Sequence, residues 1–157
     1  MEDVFCNVFI SHVHEDDHRL EALKKLLADN NCIVRDHSVN SNTPNDAHHP
    51  DYILNGILKP RIDRCGTLVV LITPDTKDSD WVKREIEYAA QQGKRIIGVW
   101  DHGEQGCEPP EQLDEIANAI VAWRSDQIID AIFGRIEDFR DPKGEVIPER
   151  NMARYNC

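Results

Sequence analysis

The sequence is short of positive charge, of paired cysteines and of long apolar runs, and each shortage removes a class of function. Lys and Arg number 18 against 29 Asp and Glu, a formal net charge of −11 over 157 residues. No Lys/Arg-rich run offsets that balance, so neither a nucleic-acid groove nor a patch for an anionic membrane is expected. The five cysteines, Cys6, Cys32, Cys65, Cys107 and Cys157, are odd in number, far apart and without a CxxC pair. They make a poor disulfide framework and a poor zinc site, so free thiols, no metal and a cytoplasmic location are expected. The longest strongly apolar run, Leu68 to Ile72, falls far short of the ~20 residues of a membrane span. The acidic start, Met1-Glu2-Asp3, lacks the features of a signal peptide. There is no internal repeat and no low-complexity tract. The GxGxxG, GxxxxGK[ST], HExxH and GxSxG patterns are also missing, which counts against Rossmann dehydrogenases, P-loop NTPases, zincins and α/β-hydrolases.

What remains is a chain long enough for one domain with a real core. Short apolar runs alternate with amphipathic ones. Strands are expected at Val4–Ser11, Cys32–Asp36, Thr67–Thr73, Arg95–Trp100 and Ala119–Ala122. Helices are expected from about His18 to Asn30, Ser79 to Gln92, Glu111 to Ala117, and from Ser125 as N-cap through Ile136. Leu20, Leu23, Leu26 and Leu27 share a face of the first helix, and Ile128, Ile129, Ile132 and Phe133 a face of the last. A further apolar face, Tyr52, Ile53, Ile57 and Leu58, is disturbed by Pro60. Residues 37–50 are irregular, rich in Asn, Ser, Pro and His. The tail from Glu137 is polar and weakly patterned. The alternation implies an α/β fold on a parallel sheet, whose ligands bind beyond the carboxyl ends of the strands.

One helix carries an anomaly. At ~100° per residue, Trp81, Val82, Ile86 and Ala89 form an apolar stripe, and Glu85 falls inside it between Trp81 and Ala89. Glu87 has Lys83 and Arg84 one turn back, whereas Glu85 has Trp81 and Val82. A carboxylate so placed is costly to bury and is a candidate for a raised pKa, unless it sits at the stripe's edge or meets a cation from another element.

Ser79-Asp80-Trp81-Val82-Lys83-Arg84-Glu85-Ile86 resembles the signature of TIR domains. Asn7 to Ser11, Cys32 to Asp36, Thr67 to Pro74 and Gly93 to Val99 resemble their first four strands, in order and in register over roughly residues 4–125. The opening VFISHVHEDD is similar, more narrowly, to the bacterial TIR-like proteins of Thoeris antiphage defence. The resemblance implies a three-layer flavodoxin-like fold, a five-stranded parallel sheet of order 2-1-3-4-5, with a TIR-like domain over residues 1–136 and a polar extension over 137–157. It implies an enzyme that cleaves NAD+ and releases an ADP-ribose-derived, cyclic signal for a separate effector. NAD+ is then a substrate and no cofactor is expected. The expected partners are NAD+ and other TIR protomers, with no nucleic acid and no membrane. Residue by residue, Glu85 takes the place of the catalytic glutamate. Ser11, His12, Asp36 and Trp81 match substrate-binding positions, and residues 37–50 match the BB loop. The sequence departs from many TIR NADases at Val13 to Asp17, where basic residues are common, and at Val82, where Cys is usual.

Two other classes stay open. A non-catalytic TIR module would act by assembly alone. A phospho-receiver is suggested by Asp16-Asp17, but it needs an acceptor Asp ending the third strand and a Lys after the fifth, where Thr73-Pro74-Asp75 and Arg124 stand. His48-His49 and Arg35 are possible phosphate contacts with solvated surface positions as the simpler reading.

Overall fold

The computed structural model describes residues 4–12, 17–30, 32–36, 59–101 and 109–147. Five strands form one sheet: β1 (Val4–Ser11), β2 (Cys32–Asp36), β3 (Thr67–Ile72), β4 (Arg95–Trp100) and β5 (Ala119–Val121). Their spatial order is β2-β1-β3-β4-β5, and every pairing is parallel. The described helices are α1 (Asp17–Ala28), α2 (Lys59–Arg64), α3 (Asp80–Gln91), α4 (Glu111–Ile116) and α5 (Ser125–Ile132). The expected α/β domain on a parallel sheet is therefore present. None of these helices is long and apolar enough to cross a membrane.

Two apolar clusters, one on each face, hold helices to the sheet. Ile62 of α2, Val82, Ile86 and Ala89 of α3, and Leu113 of α4 meet Leu68, Val70 and Ile72 of β3. Leu20, Leu23 and Leu27 of α1 and Ile128 and Ala131 of α5 meet Val69, Ile97 and Val99 on the other face. β3 is buried at every position, which is why its sequence is a continuous apolar run without polar alternation. Each fully buried Leu or Ile here contributes about 1.5–3 kcal/mol of hydrophobic stabilisation.

At Gly98 the helix and strand layers come close to β4. A Cβ built there would lie 2.9 Å from Leu113 Cδ2, 3.0 Å from Ile72 Cδ1 and 3.2 Å from Ile120 Cγ1. Gly98→Val is expected to overpack this layer and cost about 2 kcal/mol. Thermal unfolding should show the loss as a Tm about 4–8 °C lower.

Several elements differ in detail from the sequence expectation. Ser125 is the first helical residue of α5, and Arg124 holds the cap position with no side-chain cap bond. The helix stops at Ile132, so Phe133 falls at its end, 41% exposed and under the Arg135 guanidinium, not on the core face. Pro60 lies within the described α2; the face proposed at 52–58 and the irregular stretch 37–50 lie outside the described residues. Cys65 is a buried free thiol, but Cys32 is disulfide-bonded, against the expectation of free thiols throughout.

Beyond α5 the chain returns to the sheet. Arg140 N–H donates to Ile120 O at 2.7 Å, and Ile120 N–H to Asp138 O at 3.2 Å, making a parallel bridge on the outer side of β5. Phe139 is buried in the α2/α3/α4 face, and Trp100 Nε1 donates to Arg140 O at 2.8 Å. Gln127 ties the same segment down, its Nε2 donating to Gly144 O and its Oε1 accepting from Ala122 N–H. One buried aromatic in a polar stretch gives no period, which is why this part of the 137–157 extension appears featureless in sequence.

Candidate functional site

The site begins with a helix that starts where its cap dictates. Ser79 has extended backbone, and its Oγ accepts from Val82 N–H at 3.2 Å, opening α3 one residue later. Before it, the Thr76 hydroxyl accepts from Thr73 N–H and donates to Leu71 O, both at 2.9 Å, so the turn leaving β3 is knitted from inside. Gly93, at φ 70°, closes the helix, with Lys94 N–H donating back to Ala89 O. These two ends fix the rotation of α3 and press Val82, Ile86 and Ala89 onto the sheet. Glu85 goes in with them and is 6% exposed.

The carboxyl group is received by the end of β1. Ser11, fully buried, donates from Oγ to Glu85 Oε1 at 3.2 Å across 74 residues of sequence. Among the described residues this is the carboxyl's one hydrogen-bond partner, and no cation reaches it. Arg84, the nearest cation along the helix, instead sits with its guanidinium carbon 5.3 Å from the Trp81 ring centroid. Burial pushes the Glu85 pKa up from 4.5 to about 8, against the opposing pull of the Ser11 hydrogen bond. Glu87, two positions on, is exposed.

The other expected site residues are placed as follows. His12 follows Ser11 and is buried, with Nδ1 at 3.4 Å from Ile10 O. A carbonyl only accepts, so this contact uses the tautomer protonated at Nδ1. Trp81 is half-buried in the first turn of α3, beside the cluster that holds Val82 and Ile86. Asp36 ends β2 opposite Val8 in the register; its side chain, that of Arg35, and the loop bearing His48 and His49 lie outside the described set. Ser11, His12, Trp81 and Glu85 thus belong to the β1 end and the first turns of α3. Among the described residues no group of three or more His, Cys, Asp or Glu is arranged to hold a metal.

One constellation is not legible in the sequence. Arg19 of α1 donates from Nε to Asp101 Oδ1 at 2.7 Å, and its guanidinium lies 5.0 Å from the Trp123 ring centroid. Asp101 follows β4 and Trp123 follows β5, so both anchor points stand at carboxyl ends of strands. The 82 residues between Arg19 and Asp101 hide the pair; the one clue is that an acid ends a buried strand.

A parallel sheet in this order with a buried glutamate one turn into the helix after β3 defines the protein as a TIR-like domain. Residues 9–106 match the family described as Thoeris protein ThsB, TIR-like domain, and the chain belongs to that family. No curated protein matches the sequence. Among solved structures, the chain is similar to the CMP N-glycosidase BcmB of Clostridium botulinum. That match has 18% identity and a TM-score of 0.49, covering 82% of this chain and 98% of the other. It is also similar to the TIR domain of the Toll-related receptor TRR-2 of Hydra magnipapillata. There the identity is 17% and the TM-score 0.48, covering 82% and 91%.

Proposed function

We propose that this protein breaks the nicotinamide–ribose bond of NAD+, with Glu85 as the catalytic carboxylate, and that the product is a cyclic ADP-ribose derivative. That product would act as a diffusible signal to a separate antiphage effector. The observation that carries the reading is the buried, cation-free carboxyl of Glu85, held by Ser11 at the carboxyl end of β1.

The chemistry suits such a group. In NAD+ the C1′–N bond joins a ribose to a cationic pyridinium. When it breaks, the electron pair leaves with nicotinamide, which departs neutral and needs no proton. Positive charge moves to an oxocarbenium-like ribose, as in glycoside hydrolysis. A carboxylate in a site shielded from water stabilises that charge far more than it would in bulk solvent. Attack on C1′ by water gives ADP-ribose and a proton; attack by a nitrogen or hydroxyl of the same molecule gives a cyclic product. Exclusion of water from the closed pocket decides between them. At neutral pH the buried Glu85 is mostly protonated, and an incoming cation favours its ionised form.

The test is nicotinamide release from NAD+ followed across pH. With the ionised carboxylate required, kcat/KM should rise about tenfold per pH unit below 8 and level off above it. The kcat profile should bend at lower pH, because bound substrate already carries the positive charge. A flat profile from pH 6 to 9 at full activity would exclude the carboxylate from this role. No release under any condition would favour a module acting by TIR–TIR assembly.

A further inference from the structure

The two oxygens of the Glu85 carboxyl are not equivalent. Ser11 is the last residue of β1, paired in register with Val70 of β3, and is fully buried. The sheet therefore holds its backbone, and its Oγ meets Glu85 Oε1 at 3.2 Å. A serine hydroxyl has one proton to give, and this one is given to Oε1. Oε2 makes no hydrogen bond among the described residues. The sealed side-chain polar atom without a partner in that set is Gln112 Oε1, so Oε2, equally unpartnered, still reaches the surface. In the neutral carboxyl Oε1 is then the accepting carbonyl oxygen and the proton sits on Oε2. In the carboxylate Oε2 is the oxygen with unspent lone pairs.

No ionic group competes with Ser11 for this carboxyl. On α3 itself Asp80, Lys83, Arg84 and Glu87 lie off the buried face. The preceding turn brings Lys77 and Asp78, and α2 brings Asp63 and Arg64. Arg95 comes from β4, Glu111, Asp114 and Glu115 from α4, and His12 follows Ser11. None of them acts on Glu85: burial disfavours its ionisation and the Ser11 bond favours it.

We propose that Ser11 is the positioning residue for Glu85, its hydroxyl fixing the carboxyl through Oε1 and leaving Oε2 to meet the ribose of the substrate. The inference rests on the preceding reading for the identity of the substrate, but the hold of Ser11 on Glu85 is measurable without substrate. Two readouts on wild type, Ser11→Ala and Ser11→Thr test it. The first is a carbon-13 NMR titration of the Glu85 carboxyl in the substrate-free protein, assigned by its absence from Glu85→Gln. The second is nicotinamide release from NAD+, with kcat and KM taken separately on the alkaline plateau of each pH profile, where the carboxyl is ionised in every variant.

Ser11→Ala should titrate about one pH unit above wild type, a roughly tenfold weaker acid, because the donor that favours the carboxylate is gone. Ser11→Thr keeps a hydroxyl and suits a strand, so it should stay close to wild type. On the plateau Ser11→Ala should lose about five- to tenfold in kcat with KM within about twofold, and Ser11→Thr should recover most of the loss. An unmoved Glu85 titration in Ser11→Ala would overturn the proposal whether or not the wild type cleaves NAD+. So would a loss confined to KM, which marks substrate contact alone, or a lower Tm with titration and plateau kcat unchanged, which marks a purely structural part. A raised titration in Ser11→Ala with no nicotinamide release from wild type would refute the proposed reaction and leave the hold of Ser11 on Glu85 standing.

Discussion

Glu85→Gln will abolish nicotinamide release, with kcat falling by about 10²–10⁴-fold while the protein stays folded. Glutamine has nearly the same shape and still accepts from the Ser11 hydroxyl, so the pocket keeps its packing. It has no negative charge to offer the oxocarbenium-like ribose. The contrast with Glu87→Gln is informative, because Glu87 is exposed on the same helix two residues away and should leave turnover within about twofold. Quantifying nicotinamide from both variants separates a role for the buried carboxylate from a general effect of acidic residues on α3. Full activity in Glu85→Gln would remove the basis of the proposed reaction.

The same substitution should stabilise the fold, and the sign depends on pH. In the unfolded chain Glu85 titrates at its ordinary value of 4.5; in the folded chain burial holds it at about 8. Between those values the native state carries a proton that the unfolded state has lost, so stability falls as pH rises. The favourable contribution is fully present below the unfolded pKa and is lost by the time pH passes the folded one. A gap of this size corresponds to about 4–5 kcal/mol, a large share of a small domain's stability. Urea unfolding at pH 5 and pH 9 should show the two proteins close at the lower pH and Glu85→Gln more stable by about 4 kcal/mol at the higher. Background titrations cancel in the comparison. Equal pH dependence in both proteins would mean that the carboxyl is not desolvated as described. A residue that destabilises its own fold as it ionises has the pattern of a functional site, where stability is given up locally for chemistry.

Much of the site was legible because one residue broke a period. Glu85 stood among Trp81, Val82, Ile86 and Ala89 with no cation one turn away, and the structure buries it among them. Ser11 was placed near the ligand by its position at a strand end, but its partner lies 74 residues away in α3, which no local pattern encodes. To the expected place of Ser11 beside the ligand the structure adds its direct hydrogen bond to Glu85. Arg19 and Asp101 were missed for the same reason, as was Trp123, the surface against which Arg19 lies. Strand positions were the most legible feature, since continuous apolar runs such as Thr67 to Ile72 have few alternatives. Helix ends were less so, because Phe133 continues the apolar spacing of α5 beyond the point where its backbone stops.

The bridge between Phe139 and Ile120 has a geometric consequence for any higher assembly. It occupies the outer hydrogen-bonding side of β5 at Ile120, at the end of the strand order opposite β2. Ribbons grow by strand addition only when both flanks are open. At Ile120 that position is taken by the chain's own segment, so a second copy cannot add a strand there without displacing Phe139 and its neighbours from the sheet.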